Sequence, residues 1–155
     1  MPSVFLVSDT HFGHTGVCHF MRNDGVTKLR PWDSPEEMDE EMVRRWNDRV
    51  RPTDKVYHLG DVFFGEREYF QRLWPKLAGQ KRLIVGNHDD IKFLSSGGFF
   101  SKVHMWRMFP EFGLLMTHVP VHQSNLRIYA VEGEHTEGDV GTVQKQFVNI
   151  HGHIH

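Results

Sequence analysis

Five short apolar runs in this chain stop at the same kind of punctuation, and that repetition constrains the fold more than any bulk property. Val4–Val7, Lys55–Leu59, Arg82–Val85, Phe112–Met116 and Phe147–Ile150 are each followed by Asp, Asn or His, usually beside glycine. Runs this short, rich in Val, Ile, Leu and Phe and bounded by turn residues, read as strands. In open α/β sheets, ligands bind beyond the carboxyl ends of the strands, where loops from different strands converge. Convergence of these five ends would gather Asp9, His11, Asp61, Asn87, His118, His153 and His155 into one cleft.

Between the strands, helix signals place the connections. Ser34 suits an N-cap, Pro35 the first helical position and Glu37 the capping-box acid. Met38, Met42, Trp46 and Val50 then recur every four residues as one core-facing stripe, and Pro52 ends the helix. A shorter helix is expected over Glu66–Leu73, a turn at Ser95-Ser96-Gly97-Gly98, and a strand pair formed by Lys102–Trp106 and Phe112–Met116. Gly16–Trp32 reads as a long loop, and Arg127–Val131 as an edge strand.

The chain's 155 residues suit one domain, and its net charge of −2 gives no basic field for counterion-release binding, so stable nucleic-acid binding is disfavoured. Its one cysteine, Cys18, suits a reducing compartment, with a nucleophilic role set against ordinary packing. The sequence has neither a membrane-length apolar stretch nor a charged leader ahead of an apolar segment, so no membrane association and a cytoplasmic location are the expectation.

Seven donors of oxygen and imidazole type, with no thiolate, exceed what one tetrahedral ion takes and suit two divalent ions sharing a bridge. Asp61 is the natural bridge, because a carboxylate has two oxygens. In extended backbone, residues two apart point to one side, so Asp9-x-His11 and His153-x-His155 can each aim two donors at one site. Capping and turn chemistry at strand ends is the competing explanation for any one of these residues taken alone.

Taken together, Asp9-x-His11, Gly60-Asp61, Gly86-Asn87-His88-Asp89, Thr117-His118 and Gly152-His153-x-His155 resemble the calcineurin-like metallophosphoesterase superfamily, in its small prokaryotic and phage-type branch. The resemblance spans the whole chain. It implies an α/β fold of two mixed β-sheets packed as a sandwich with flanking helices. It implies a phosphoesterase acting on a monoester or diester, and a chain this short, without room for a separate recognition domain, favours a small phosphorylated or nucleotide substrate. It also implies that Asp9, His11 and His155 hold one metal, that Asn87, His118 and His153 hold the other, and that Asp61 bridges them. His88 would act on the substrate as the catalytic residue. Manganese is the first expectation for the ions, with Fe, Ni, Co or Zn as alternatives.

Two features depart from the family pattern: Thr117 stands where many relatives have glycine, and the chain stops at a proposed ligand. Either a tail beyond His155 is missing or the first ion is held more weakly. Other assignments stay open. His14 suits a phosphate contact or a surface role, Asp89 a hydrogen bond orienting His88 or a ligand, and His151 the cleft or a buried structural position. Phe12, Phe63 and Phe64 suit either nucleobase stacking or core packing, and Arg22, Lys28 and Arg30 either a basic lip or solvated loop charges. Two rival functions also stand beside the phosphoesterase reading: a nuclease using the same chemistry, and a non-catalytic interaction protein on the same fold.

Overall fold

The computed structural model describes residues 1–130 and 143–153, and two sheets within them carry the strand ends. β1 (Val4–Val7), β2 (Lys55–His58), β3 (Gln80–Ile84) and β4 (Lys102–His104) form one sheet in that order, with every neighbouring pair parallel. β5 (Arg107–Phe109), β6 (Leu114–Met116) and β9 (Val148–Ile150) form the second, in which β5–β6 is antiparallel and β6–β9 parallel. β7 (Arg127–Ala130) and β8 (Val143–Gln146) make a separate antiparallel pair.

The expected sandwich is present, with one correction: only the second sheet is mixed. The first is wholly parallel because each of its connections passes through a helix: α1 (Pro35–Asn47), α2 (Arg67–Leu73) or α3 (Ile91–Ser96). Tyr57 and Ile84 meet Phe109, Met116 and Ile150 of the second sheet across an apolar layer. On the other face, Leu83, Val62 and Phe63 pack on Phe70, Leu73, Trp74, Leu77 and Leu94, with Met42 and Trp46 of α1 against them. Burying side chains of this size contributes roughly 1.5–3 kcal/mol each, so this face anchors the sheet.

Local signals account for most of the elements. Ser34 Oγ accepts the Glu37 N–H at 3.2 Å, and Met38 is buried on the first turn of α1. The Glu37 carboxylate reaches back to the Asp33 N–H at 3.3 Å, one residue earlier than a standard capping box. The segment Ser95–Gly98 is not a simple turn: α3 runs through Ser96, capped by Asp90, whose side chain accepts the Phe93 N–H. Lys102–His104 likewise does not pair with Leu114–Met116. It closes the first sheet against β3, and Arg107–Phe109 takes the antiparallel place beside β6. Among the described residues no helix is long and apolar enough to cross a membrane.

Candidate metal centre

Past their last ladder residues, β1 and β2 keep running side by side. The Asp9, His11 and Phe12 N–H groups donate to the carbonyls of Gly60 (3.0 Å), Asp61 (3.2 Å) and Val62 (3.0 Å). Within this stretch the backbone turns left-handed. Asp9 (φ 53°), His11 (φ 51°), Asp61 (φ 55°) and His153 (φ 65°) are the non-glycine residues of positive φ among the described residues. Each costs roughly 1–2 kcal/mol, and such strain persists only where the surroundings over-determine it. All four belong to the predicted ligand set. Asp9 and His11 therefore reach a common site by left-handed turns, not by the extended alternation expected from their spacing.

Glycine makes the convergence sterically possible. A Cβ on Gly60 (φ +96°) would stand 2.6 Å from both the Gly86 Cα and the His118 ring. One on Gly152 would stand 1.9 Å from Ser8 Oγ and 2.5 Å from Asp9 Oδ2. These glycines precede Asp61 and His153, so the motif glycines mark where strand ends touch.

Two clusters of ligating atoms result, and Asp61 belongs to both. Asp9, His11 and Asp61 form one and Asp61, His118 and His153 the other, with the ligating atoms of each within 4.8 Å of one another. The Asp61 side chain is fully buried. Its Oδ1 accepts the His88 N–H at 3.0 Å, while its buried Oδ2 accepts no hydrogen bond among the described residues. His118 Nε2 lies 3.5 Å from that oxygen. The other ring nitrogen, Nδ1, is 2.7 Å from the Leu59 carbonyl, which can only accept, so Nδ1 carries a proton and Nε2 is the ring atom turned toward the carboxylate. Asn87 Oδ1 sits 2.8 Å from the same Nε2. Nε2, Asn87 Oδ1 and the buried Asp61 Oδ2 thus converge on one place, a donor set that a cation would satisfy. The donor set fits divalent first-row metals.

Neighbouring groups hold these donors in place. Asp89 accepts the Gly86, Asp61 and Val62 N–H groups at 2.7, 3.1 and 2.9 Å, so it clamps the backbone of the Asp61 loop and does not orient His88. Burial pushes the Asp89 carboxyl above its usual range, outweighing those three bonds. At Asp9, burial is overcome: the Ser8 hydroxyl and the His153 N–H donate to its carboxylate and keep its pKa low, so the group stays anionic.

Three supporting residues carry no mark that sequence reasoning could have used. Arg30 turns inward and donates to the Asp9 and Thr10 carbonyls at 2.6 and 2.8 Å. His58 is fully buried, and its Nδ1 accepts the Gly60 N–H at 3.2 Å. Its Nε2–H then donates to Thr10 Oγ (2.9 Å), whose own proton goes to the Val62 carbonyl (2.8 Å). Burial pulls the His58 pKa down to about 3, so this relay is held by a neutral ring.

The remaining candidates separate clearly. His14 stands beside the centre, its ring 5.8 Å from that of His11, and its Nδ1 accepts the Val17 N–H at 2.8 Å, leaving the ring proton on Nε2. Burial lowers its pKa. His88 is exposed at the mouth, its ring 5.1 Å from Phe64. His151 does not join the cleft: it lines a shallow depression with Pro120, Val121 and Phe147. His155 lies outside the described residues. Thr117 spends its hydroxyl on the Val119 carbonyl and the Asn149 amide, so its side chain does not crowd the ligands. Cys18 is fully buried with a raised pKa, a packing residue and not a nucleophile. Phe12 and Phe63 are core, and Lys28 pairs with Asp33, which with the inward Arg30 removes two charges from the proposed basic lip.

An α/β sandwich with two carboxylate–imidazole clusters sharing one aspartate at its strand ends is built to hold divalent metal ions. The chain matches the model of the calcineurin-like phosphoesterase family over residues 2–155 and belongs to that family, whose chemistry is metal-dependent phosphoester hydrolysis. Its relatives include the uncharacterized protein MJ1445 of Methanocaldococcus jannaschii, 34% identical over 91 residues, 57% of this chain and 48% of that one. The Gene 66 protein of Mycobacterium phage D29 is 35% identical over 92 residues (57% and 41%), and that of phage L5 is 27% identical over 173 residues (100% and 78%). The chain thus spans about half the length of the first two relatives. A solved structure of a protein of unknown function, AQ665 from Aquifex aeolicus, superposes with a TM-score of 0.59 at 25% identity, covering 77% of this chain and 62% of the other.

Proposed function

We propose that this protein hydrolyses a small phosphorylated or nucleotide-type substrate, monoester or diester, at a dinuclear centre bridged by Asp61. The observation that carries the reading is the membership of the buried Asp61 in both ligand clusters, with its Oδ2 3.5 Å from His118 Nε2. Asp9 and His11 would hold one ion with His155, and Asn87, His118 and His153 the other. Two divalent ions there, manganese first among them, would supply Lewis acidity: an activated water at neutral pH and stabilisation of both oxygens of an in-line displacement.

The chain's own groups do the rest. His88, exposed beside Asn87, would donate a proton to the leaving-group oxygen or hydrogen-bond the phosphoryl oxygens. The Nε2–H of His14 supplies a second donor from the other side. Asp89, Arg30 and the His58–Thr10 relay fix the backbone that presents Asp9 and Asp61, so the donors need no rearrangement when substrate arrives.

The test is hydrolysis of p-nitrophenyl phosphate and bis-p-nitrophenyl phosphate by the full chain loaded in turn with Mn, Ni, Co, Zn and Mg. Turnover of at least one ester, strongest with a transition metal, is expected. Silence on both esters with every metal would contradict the enzyme reading in favour of a binding role. A salt-sensitive gel shift with single-stranded DNA would move the substrate class toward nucleic acid.

A further inference from the structure

Of the three loop phenylalanines near the centre, Phe12, Phe63 and Phe64, Phe64 is the one the core does not absorb. Its neighbour Phe63 points inward and stacks on Phe70 at 4.4 Å, whereas Phe64, on the alternate side of the same extended segment, is 38% exposed. The Phe64 ring stacks on His11 (4.8 Å, 26°), meets His14 in a T-shaped contact (4.8 Å) and lies tilted against His88 (5.1 Å). It is therefore an apolar ring wedged among three imidazoles at the mouth of the centre. Its backbone is fixed, because its N–H donates to the Phe12 carbonyl at 2.9 Å.

A second exposed ring stands on the far side of His14. Phe20, 51% exposed, lies 5.9 Å from the His14 ring. It opens a small hairpin held by Leu29 N–H to Phe20 O and Arg22 N–H to Thr27 O, both 2.7 Å, and capped by Asp24, which accepts the Val26 and Thr27 N–H groups. Met21, Val26 and Leu29 on this hairpin are also exposed. Two exposed rings flanking His14 at the mouth of a polar centre suit a ligand that has a flat, apolar part.

We infer that Phe64, with Phe20, is a stacking platform for the flat part of the leaving group, the base of a nucleoside or an aryl ring, and so determines the substrate class of this centre. The inference rests on the phosphoesterase reading for the position of the phosphoryl group. A phosphoryl group held beside His11 would bring the rest of its leaving group within reach of the exposed part of Phe64. A single stacked ring is worth about tenfold or more in affinity.

The test is calorimetric titration of the Mn-loaded full chain with inorganic phosphate, ribose 5-phosphate, AMP and phenyl phosphate. The wild type should bind AMP or phenyl phosphate about tenfold more tightly than ribose 5-phosphate. Phe64→Ala and Phe64→Leu should shrink that ratio to about twofold or less while leaving Mn affinity unchanged, and Phe20→Ala should shrink it partly. Preference for AMP over phenyl phosphate would identify a nucleobase, and the reverse an aryl leaving group. Equal binding of all three esters by the wild type would overturn the inference. So would a ratio that survives both Phe64 variants, or a loss confined to Mn affinity, which would reduce Phe64 to packing for His11. Failure to bind inorganic phosphate would instead sink the phosphoesterase reading, and with it this one.

Discussion

Asp61 and Phe64 lie three residues apart on one loop and are held in opposite ways. The Asp61 carboxylate is fully buried, its N–H is tied to Asp89, and one of its oxygens takes the His88 N–H. Phe64 is 38% exposed and keeps its place by one backbone bond and three ring contacts. The floor of the cleft is thus over-determined, as it must be to hold left-handed ligands. The lip is lightly held and presents surface to a visitor. Changes to the floor should abolish metal binding or destabilise the fold, and changes to the lip should alter what is bound and how fast it reacts.

The largest effect is expected at the shared carboxylate. Asp61→Asn keeps an acceptor for the His88 N–H but loses the bridging charge. It should lower kcat/KM by about a thousandfold or more and deplete both ions, read by metal analysis after gel filtration. His88→Ala comes next. Activity should fall by about 10²–10⁴-fold while bound metal stays at the wild-type level, because only the His88 backbone touches a proposed ligand. Loss of metal in that variant would move His88 from lip to floor.

Asp89→Ala should weaken metal affinity by about ten- to a hundredfold and cost about 3 kcal/mol in urea unfolding, since three N–H groups lose their acceptor. A smaller effect follows from His58. Its folded pKa of about 3 lies below the ordinary 6.5, so the unfolded chain binds the extra proton first as pH falls. The His58 contribution is therefore complete above pH 6.5 and is lost as pH drops toward 3. Urea midpoints measured across that window should fall with pH, and less steeply in His58→Gln.

The floor was legible in the sequence because its geometry demands particular residues. Contact between strand ends demands Gly60 and Gly152, and metal-type donors must follow them, so position and chemistry were written together. The reason Asp9-x-His11 works was not legible: left-handed φ leaves no mark on Asp or His. Nor were Arg30 and Thr10, whose hydrogen bonds to the Asp9 loop depend on long-range packing under α1. Phe64 could be named but not separated from Phe12 and Phe63, because burial of one ring and exposure of its neighbour is decided by the opposing core. Ser-Ser-Gly-Gly reads as a turn and so conceals α3, although Asp90 ahead of Ile91, Phe93 and Leu94 is a capping signal.

The claim on which the account turns is that one buried aspartate joins two ions. Electron paramagnetic resonance of the protein loaded with Mn(II) tests it directly, because ions about 3.5–4 Å apart across a shared carboxylate couple magnetically. The wild type should give the broadened, multiline spectrum of a coupled pair at two Mn per chain, and Asp61→Asn should abolish it. An isolated six-line signal from the wild type at saturating Mn would contradict the shared centre.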